Sequence, residues 1–526
     1  MTRHILADKD MLLLALALLL IPALLIRCTV LSGDQVRRMV WRTRARMRPG
    51  PGFASQWEIT LHFGRLAAVW HGRRARRDLT FRGRFTRGAH HYATRLGRGM
   101  WLRRLYVPGE EHVIIVAPPR TFKSGHLADR LLCHPGSAVS CTTRADVLEL
   151  TSGQRARMGP VQVFNPEGIG GAGSTFRVDI VRDCADPEVA RQTAAALVGP
   201  VSPGEDAQWQ RMARSALAGL LHAAAIRRGD MSDVWMWVTR LNEHQVQEAR
   251  TMPGASLDTL APAIALQQSS KTQDSIRAFA VEAIAWVTSP RLMGMVSGPD
   301  LVSFDAEQWI ESCGTIYFIS SGEETSGAPL FRAVIEKIYR DCRLAGSVTP
   351  YGRIPNPVLF ALDEVTQTAA VPLKEWLATA AGDGIQVCPV VHTPAQLRDR
   401  YGPDAADVIW QLAGVKMLLG GNTDPHLAEA VSKVCGTIPS GEGRDRPVVP
   451  VAYLRRLPAM HALVIVKNRN LLAVKIRPAW KRPARRLLLR PLSRRLGLLH
   501  PPAIPQAAPS APGLREVPPE GMPEVA

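Results

Sequence analysis

From residue 106 onward the chain sets short unbroken apolar runs against longer stretches in which apolar residues return every third or fourth position. The short runs are His112-Val113-Ile114-Ile115-Val116-Ala117, Ala138 to Thr142, Val161-Gln162-Val163-Phe164, Thr315-Ile316-Tyr317-Phe318-Ile319, Val358-Leu359-Phe360-Ala361-Leu362, Val387 to Val391 and Met417-Leu418-Leu419. Runs of this length without polar alternation predict strands covered on both faces, the habit of a parallel sheet whose crossovers are helices. After the glycine-rich break at Gly168 to Gly173 the period changes. Trp209, Met212, Ala213, Ala216, Leu217, Leu220, Leu221 and Ala224 recur at helical spacing, as do apolar positions around Val234 to Val238 and Ile276 to Val287. The pattern predicts an α/β fold with a mostly parallel sheet over 106–205 and 299–475, interrupted by an all-α domain over 206–298.

Upstream, an unbroken apolar stretch from Met11 to Ile26 runs on through Thr29 and Val30 to Leu31. About twenty residues suffice to span a bilayer, so residues 1–36 are expected to carry one transmembrane helix at about 11–31. A cleaved signal peptide competes with this reading. No small-residue cleavage site follows cleanly, however, and Arg3, Asp8, Lys9 and Asp10 give the preceding segment mixed charge. Arg37, Arg38, Arg42, Arg44, Arg46 and Arg48 come next with almost no acids. That bias predicts a single-pass cell-membrane protein with the bulk of the chain in the cytoplasm.

Charge extends the picture. The formal net charge is +19, which favours an anionic membrane surface or nucleic acid as partner. The region 37–105 stays basic. Lipid headgroups suit Arg37 to Arg48. Arg73-Arg74-Ala75-Arg76-Arg77, Arg82, Arg84 and Arg87, alternating with Leu79, Phe81 and Phe85, predict a short β-ribbon or irregular segment facing lipid or the DNA backbone. Residues 476–526 read as a tail, basic from Arg477 through Arg495, then proline-rich and disordered. The 8 cysteines show no C-x-x-C pair, which fits a reducing compartment and small core residues such as Cys133, Cys141, Cys313 and Cys388.

The chemistry sits at two strand ends. The run Val358 to Leu362 ends in Asp363-Glu364, the Walker B arrangement. One carboxylate holds the Mg²⁺ of a nucleotide, and its neighbour orients or deprotonates the attacking water. An ordinary buried strand reaching solvent through an acidic turn has the same letters. Upstream, the His112–Ala117 strand is followed by Pro118-Pro119-Arg120-Thr121-Phe122 and then by Lys123-Ser124 opening a helix through Leu127, Leu131 and Leu132. Strand, loop, Lys-Ser and helix is the P-loop order: backbone N–H groups cradle phosphates, Lys123 reaches the β/γ oxygens and the Ser124 hydroxyl binds Mg²⁺. Ala117 and Phe122 occupy the two positions where that motif carries glycine, which serves there because a Cβ obstructs the loop conformation and the approach of phosphate.

Together these stretches resemble TraG/TraD-type coupling proteins of type IV secretion and conjugation, near the actinobacterial branch with a TraM-recognition-like module. The resemblance runs from about 105 to 475. It rests on Ser140 to Thr151, Gly159 to Gly168, Leu362-Asp363-Glu364-Val365, Trp376 to Ile385, Ala395 to Gly402 and Leu419-Gly420-Gly421-Asn422. It implies a membrane-tethered, RecA-like P-loop NTPase core, with ATP and Mg²⁺ as cofactors. Six copies would form a ring that passes DNA, bound without sequence preference, or a relaxase–DNA complex to secretion channel proteins. Phosphates would lie along Ala117 to Ser124, with Ser124 and Asp363 on Mg²⁺ and Glu364 and Lys123 catalytic. His392 stands where such motors usually carry a γ-phosphate-sensing glutamine, and Arg398 and Arg400 are candidates for an arginine acting on a neighbouring subunit. Relatives often have two membrane spans; one is evident here. Because of the altered P-loop, a non-hydrolytic membrane receptor or scaffold for conjugative substrate is the alternative.

Overall fold

The computed structural model describes residues 50–481 except 77, 100–102, 202, 203, 205, 241–243, 299, 300, 302, 303, 323–326 and 440–444. The transmembrane helix expected over 11–31, the Arg37 to Arg48 run and the basic stretch from Arg482 lie outside the described residues. Among the described residues no helix is long and apolar enough to cross a membrane.

The strands are β1 (Ala93–Arg98), β2 (Arg104–Pro108), β3 (Val113–Val116), β4 (Ala138–Thr142), β5 (Val161–Phe164), β6 (Thr315–Ile319), β7 (Val358–Leu362), β8 (Ile385–Val391) and β9 (Val415–Leu419). A short hairpin of β10 (Thr437–Ile438) and β11 (Arg446–Pro447) precedes β12 (His461–Val466) and β13 (Leu472–Lys475). All but the hairpin join one 11-stranded sheet in the order β2-β1-β13-β12-β9-β3-β8-β7-β4-β6-β5. From β9 to β5 every neighbouring pair is parallel. Every residue of β3, β4, β6, β7 and β8 is buried, which is why these segments read as continuous apolar runs. Their carboxyl ends align along one edge of the sheet, where open α/β folds place their ligand crevices.

The other side of the sheet was less legible. β12 pairs antiparallel with β9 and β13, and β1 pairs antiparallel with β13 and β2. β1 breaks its apolar residues with Thr94, Arg95 and Gly97, and β13 is fully buried only at alternate residues. The register of β1 shifts between Arg95 and Gly97. Gly97 has φ 152° and lies so close to Val474 and the Lys475 carbonyl that a side chain would not fit.

Between β5 and β6 the described residues form helices and no strand. The central one, Ala207–Ile226, packs against Pro187–Val198, Leu257–Leu266 and Lys271–Ile284. Gly219 lets its backbone approach Thr259 and Ala263 closely. Buried His222 is fully satisfied: Nδ1–H donates to the Cys184 carbonyl at 2.9 Å, and Nε2 accepts from Ser256 N–H at 3.0 Å.

The segment Arg73 to Arg87 departs from the expected ribbon. Arg73 to Ala75 end one helix, Arg65–Ala75, and after a turn a second, Phe81–Thr86, starts where the Thr80 hydroxyl accepts from Gly83 N–H at 3.1 Å. A local cap prevails over short-range alternation because it satisfies a backbone donor at the helix start. Arg76 is buried and structural, with Nη2 2.7 Å from Asp78 and Nη1 donating to Asn356 at 2.9 Å. Arg73, Arg82 and Arg87 remain exposed.

Two buried histidines give the fold an acid sensitivity. Burial pushes His112 down to about 4 and His134 down to about 3. Each therefore takes up a proton more readily unfolded than folded. Stability should decline as pH falls below about 6.5, by up to about 1.4 kcal/mol per pH unit per histidine, until the folded values are passed. His134 Nε2–H donates to the Pro357 carbonyl at 2.7 Å, and His134→Gln keeps a donor there. Thermal melts at pH 7 and pH 5 are expected to differ less in this variant than in the wild type; an unchanged difference would refute the assignment.

Candidate nucleotide site at the sheet edge

Lys123 and Ser124 begin the Lys123–Cys133 helix directly after the β3 loop, and no side chain caps this helix. Its first N–H groups lack intrahelical acceptors and concentrate positive potential, the physical basis of an anion site. Phe122 adopts the left-handed conformation at φ 68°, ψ 27°, and Arg120 does so at φ 63°. The loop therefore takes a glycine-like turn without glycine, at about 1–2 kcal/mol per residue. Phe122 does so with its ring turned to solvent and to Trp480, at a centroid distance of 5.9 Å.

Opposite, β7 delivers Asp363 and Glu364. Glu364 is left-handed at φ 50°, ψ 47°, turning the chain at once into the Val365–Thr368 helix. Lys123 Nζ is hydrogen-bonded to Glu364 Oε1 and lies 3.5 Å from Asp363 Oδ1. Ser124 Oγ–H points to Asp363 Oδ2 at 3.4 Å. His392, at the end of β8, places Nε2 3.2 Å from Glu364 Oε1 and 3.5 Å from Lys123 Nζ. The ends of three parallel strands thus bring Lys123, Ser124, Asp363, Glu364 and His392 together.

The two acids are not equivalent. Burial raises the Asp363 carboxyl above its usual range and Glu364 adds to the rise, while Lys123 opposes it. For Glu364 burial also pushes upward, but the hydrogen bond and charge of Lys123, with help from His392, outweigh it and hold the carboxyl below the usual range. Glu364 is the ionised partner of the ammonium. Asp363 keeps a buried Oδ1 that accepts no hydrogen bond. A buried carboxylate whose Oδ1 meets only the Lys123 ammonium, at 3.5 Å, and whose Oδ2 faces a serine hydroxyl is a hard-oxygen pair that fits Mg²⁺, which needs only one or two such protein ligands beside phosphate oxygens. Among the described residues no group of three or more His, Cys, Asp or Glu side chains gathers as a metal cage.

The remaining loop residues have structural roles. Ala117 is buried; its N–H donates to the Val391 carbonyl at 2.9 Å, and its own carbonyl accepts from His392 Nδ1–H at 3.0 Å. That bond fixes the His392 tautomer, so Nε2 donates only when the ring is protonated. Pro118 accepts from the Thr121 hydroxyl at 2.6 Å, and Pro119 and Arg120 are exposed. Arg398 and Arg400 lie on the Ala395–Tyr401 helix; Arg398 is exposed and Arg400 is within electrostatic reach of Arg332 and Tyr401.

Three contributors escaped the sequence. Thr143 follows β4, the neighbour of β7, and points its hydroxyl to Glu364 Oε2 at 3.4 Å. Gln396 accepts from His392 N–H at 2.8 Å. Trp480 packs on the start of the Lys123–Cys133 helix, in a segment read from sequence as the beginning of the tail; Ile476 and Ala479 beside it are buried. Strand adjacency is the signal for Thr143, and it exists only in the sheet order.

Comparison with solved structures places the fold. The unbound conjugative coupling protein TrwBdeltaN70 superposes with a TM-score of 0.56 at 18% identity, covering 71% of this chain and 86% of that one. The plasmid coupling protein TrwB in complex with ADP and Mg²⁺ superposes with a TM-score of 0.57 at 18% identity, covering 72% and 90%. The complex of TrwB with the non-hydrolysable ATP analogue ADPNP gives the same values. No curated protein matches the chain. The class is therefore a mixed α/β protein with the RecA-like fold of these coupling proteins. A family model, Type IV secretory system Conjugative DNA transfer, matches residues 73–440, and the chain belongs to that family, in agreement with the resemblance to TraG/TraD-type coupling proteins.

Proposed function

We propose that this chain is the coupling ATPase of a type IV secretion or conjugation system, anchored by its Met11–Leu31 segment. It would recruit and move DNA or a relaxase–DNA complex as a ring of six copies. The observation that carries the proposal is the convergence of Lys123, Ser124, Asp363, Glu364 and His392 at the carboxyl ends of β3, β7 and β8. TrwB, which shares the fold, has been solved with ADPNP and with ADP and Mg²⁺. The buried Asp363 carboxylate beside Ser124 and the uncapped helix start fit the same ligands.

In this mechanism the helix N–H groups from Lys123 onward and the Lys123 ammonium hold the phosphates. Ser124 and Asp363 would hold Mg²⁺, which when bound neutralises phosphate charge. Lys123 leaves Glu364 to reach the phosphate oxygens, and the freed carboxylate, kept ionised at neutral pH, accepts the proton of the attacking water. Protonated His392 can offer Nε2–H to the terminal phosphate, while its Nδ1–H stays on Ala117.

Full-length protein is expected to hydrolyse ATP faster when DNA of any sequence is added, with stimulation fading as salt rises. Lys123→Ala should remove that turnover and abolish substrate transfer. Wild-type turnover no higher than that of Lys123→Ala, with transfer intact in both, would instead identify a non-hydrolytic receptor.

A further inference from the structure

Phe122 is the residue that departs furthest from a phosphate loop, and its surroundings give it a use. The ring meets Trp480 at a centroid distance of 5.9 Å with the planes 57° apart. Both rings stay accessible, Phe122 at 37% and Trp480 at 38%. Trp480 is seated on Gly125: a Cβ there would collide with indole carbons Cη2 and Cζ3, and would meet Pro478 at 3.0 Å. Glycine within the first turn of a helix is costly, by about 1 kcal/mol relative to alanine. Here it gives an aromatic ring direct access to the helix backbone.

The position of this pair relative to the acids defines its role. Ser124 Oγ faces Asp363, and the tip of Lys123 faces Glu364 and His392, so the terminal phosphate end of a nucleotide belongs on that side. Gly125 is one residue further on, about 100° around the helix. Phe122 precedes Lys123 and leans toward the same ring. The two aromatics thus flank the helix start away from the acids, the side on which a nucleotide whose terminal phosphate meets the acids would carry its sugar and base. Exposed aromatic rings bind any nucleobase by stacking, since every base offers a π-face, and the contact does not discriminate among bases.

We infer that Phe122 and Trp480 form a base-stacking platform for the nucleotide, so that this chain takes nucleoside triphosphates as a class and draws binding free energy from the base that its glycine-free loop does not supply. The inference rests on the nucleotide-site reading above and adds Trp480 to it. It also gives the left-handed Phe122 a function beyond completing a turn.

The test compares affinities of full-length wild type, Trp480→Ala, Trp480→Phe and Phe122→Leu for ATP, GTP and inorganic triphosphate in Mg²⁺. Trp480→Ala should lower the ratio of ATP to triphosphate affinity roughly ten-fold, with triphosphate affinity unchanged. Trp480→Phe should keep most of the ratio, Phe122→Leu should lower it, and GTP should behave as ATP does. An unchanged ratio in both Trp480→Ala and Phe122→Leu would overturn the platform while leaving the phosphate cradle intact. Parallel loss of ATP and triphosphate binding in Trp480→Ala, not relieved in Trp480→Phe, would make Trp480 a structural support and overturn it too. Failure of the wild type to bind either ligand would remove the nucleotide site and the platform together.

Discussion

Glu364→Gln is expected to lower ATP turnover by about 10²–10⁴-fold without weakening nucleotide binding. The amide is nearly isosteric with the carboxylate, so the left-handed turn after β7 and the contact with Thr143 have the same space available. It has no basicity, so the proton of the attacking water has no acceptor. It also no longer holds the Lys123 ammonium as an ion pair. Phosphate then competes against a weaker partner for Lys123, and KM should stay level or fall while kcat collapses. Steady-state kinetics combined with equilibrium binding of a non-hydrolysable ATP analogue separate the two effects. A turnover within a few-fold of wild type would mean that Glu364 is not the base. Equal loss of binding and turnover would make it a scaffold for the loop.

The second large effect lies in the scaffold. Arg155 is fully buried and has no carboxylate partner among the described residues. Its Nε donates to the Thr315 hydroxyl at 2.7 Å, Nη1 to the His134 carbonyl at 2.9 Å, and Nη2 to the carbonyls of Gly136 at 2.6 Å and Cys313 at 3.3 Å. Burial lowers its pKa. One guanidinium at the end of the Asp146–Arg155 helix therefore ties together the chain entering β4 and the chain entering β6. Arg155→Ala would leave several buried carbonyls unpaired and open a cavity, a loss of about 3–5 kcal/mol. Arg155→Lys should recover only part of it, because an ammonium cannot span the same fork. Denaturant or thermal unfolding of both variants measures this, and a loss below about 1 kcal/mol for the alanine variant would show that water or relaxation replaces the clamp.

Neither effect was equally visible beforehand. Asp363 and Glu364 stood out because an apolar run ended in two acids, a pattern that needs no partner to be noticed. Nothing in the sequence marks Arg155, since most of its acceptors are backbone carbonyls from distant segments. Thr143 and Gln396 were hidden for the same reason, as was Trp480, whose contact with Gly125 joins segments more than three hundred residues apart in the chain. The antiparallel strand β1 lacks the unbroken run that marks the parallel strands, because its partly buried positions admit Arg95 and Arg98, whereas β12 and β13 do carry apolar runs, Ala462 to Val466 and Leu471 to Val474, which by themselves name no partner strand.

The sequence by itself determined the parallel strands, the helical stretch between β5 and β6, and the identity of the lysine, serine and acids at the strand ends. Burial on both faces and helical periodicity impose residue types locally, and local constraints survive in a linear string. Only the tertiary structure decided that Lys123 rests on Glu364 rather than standing free, that Asp363 is buried with its Oδ1 facing the Lys123 ammonium, and that the Ala117 carbonyl fixes the His392 tautomer. It also decided that Phe122 turns out to Trp480. These depend on which strand ends lie side by side, and strand order is set by long-range packing that no neighbouring residue records.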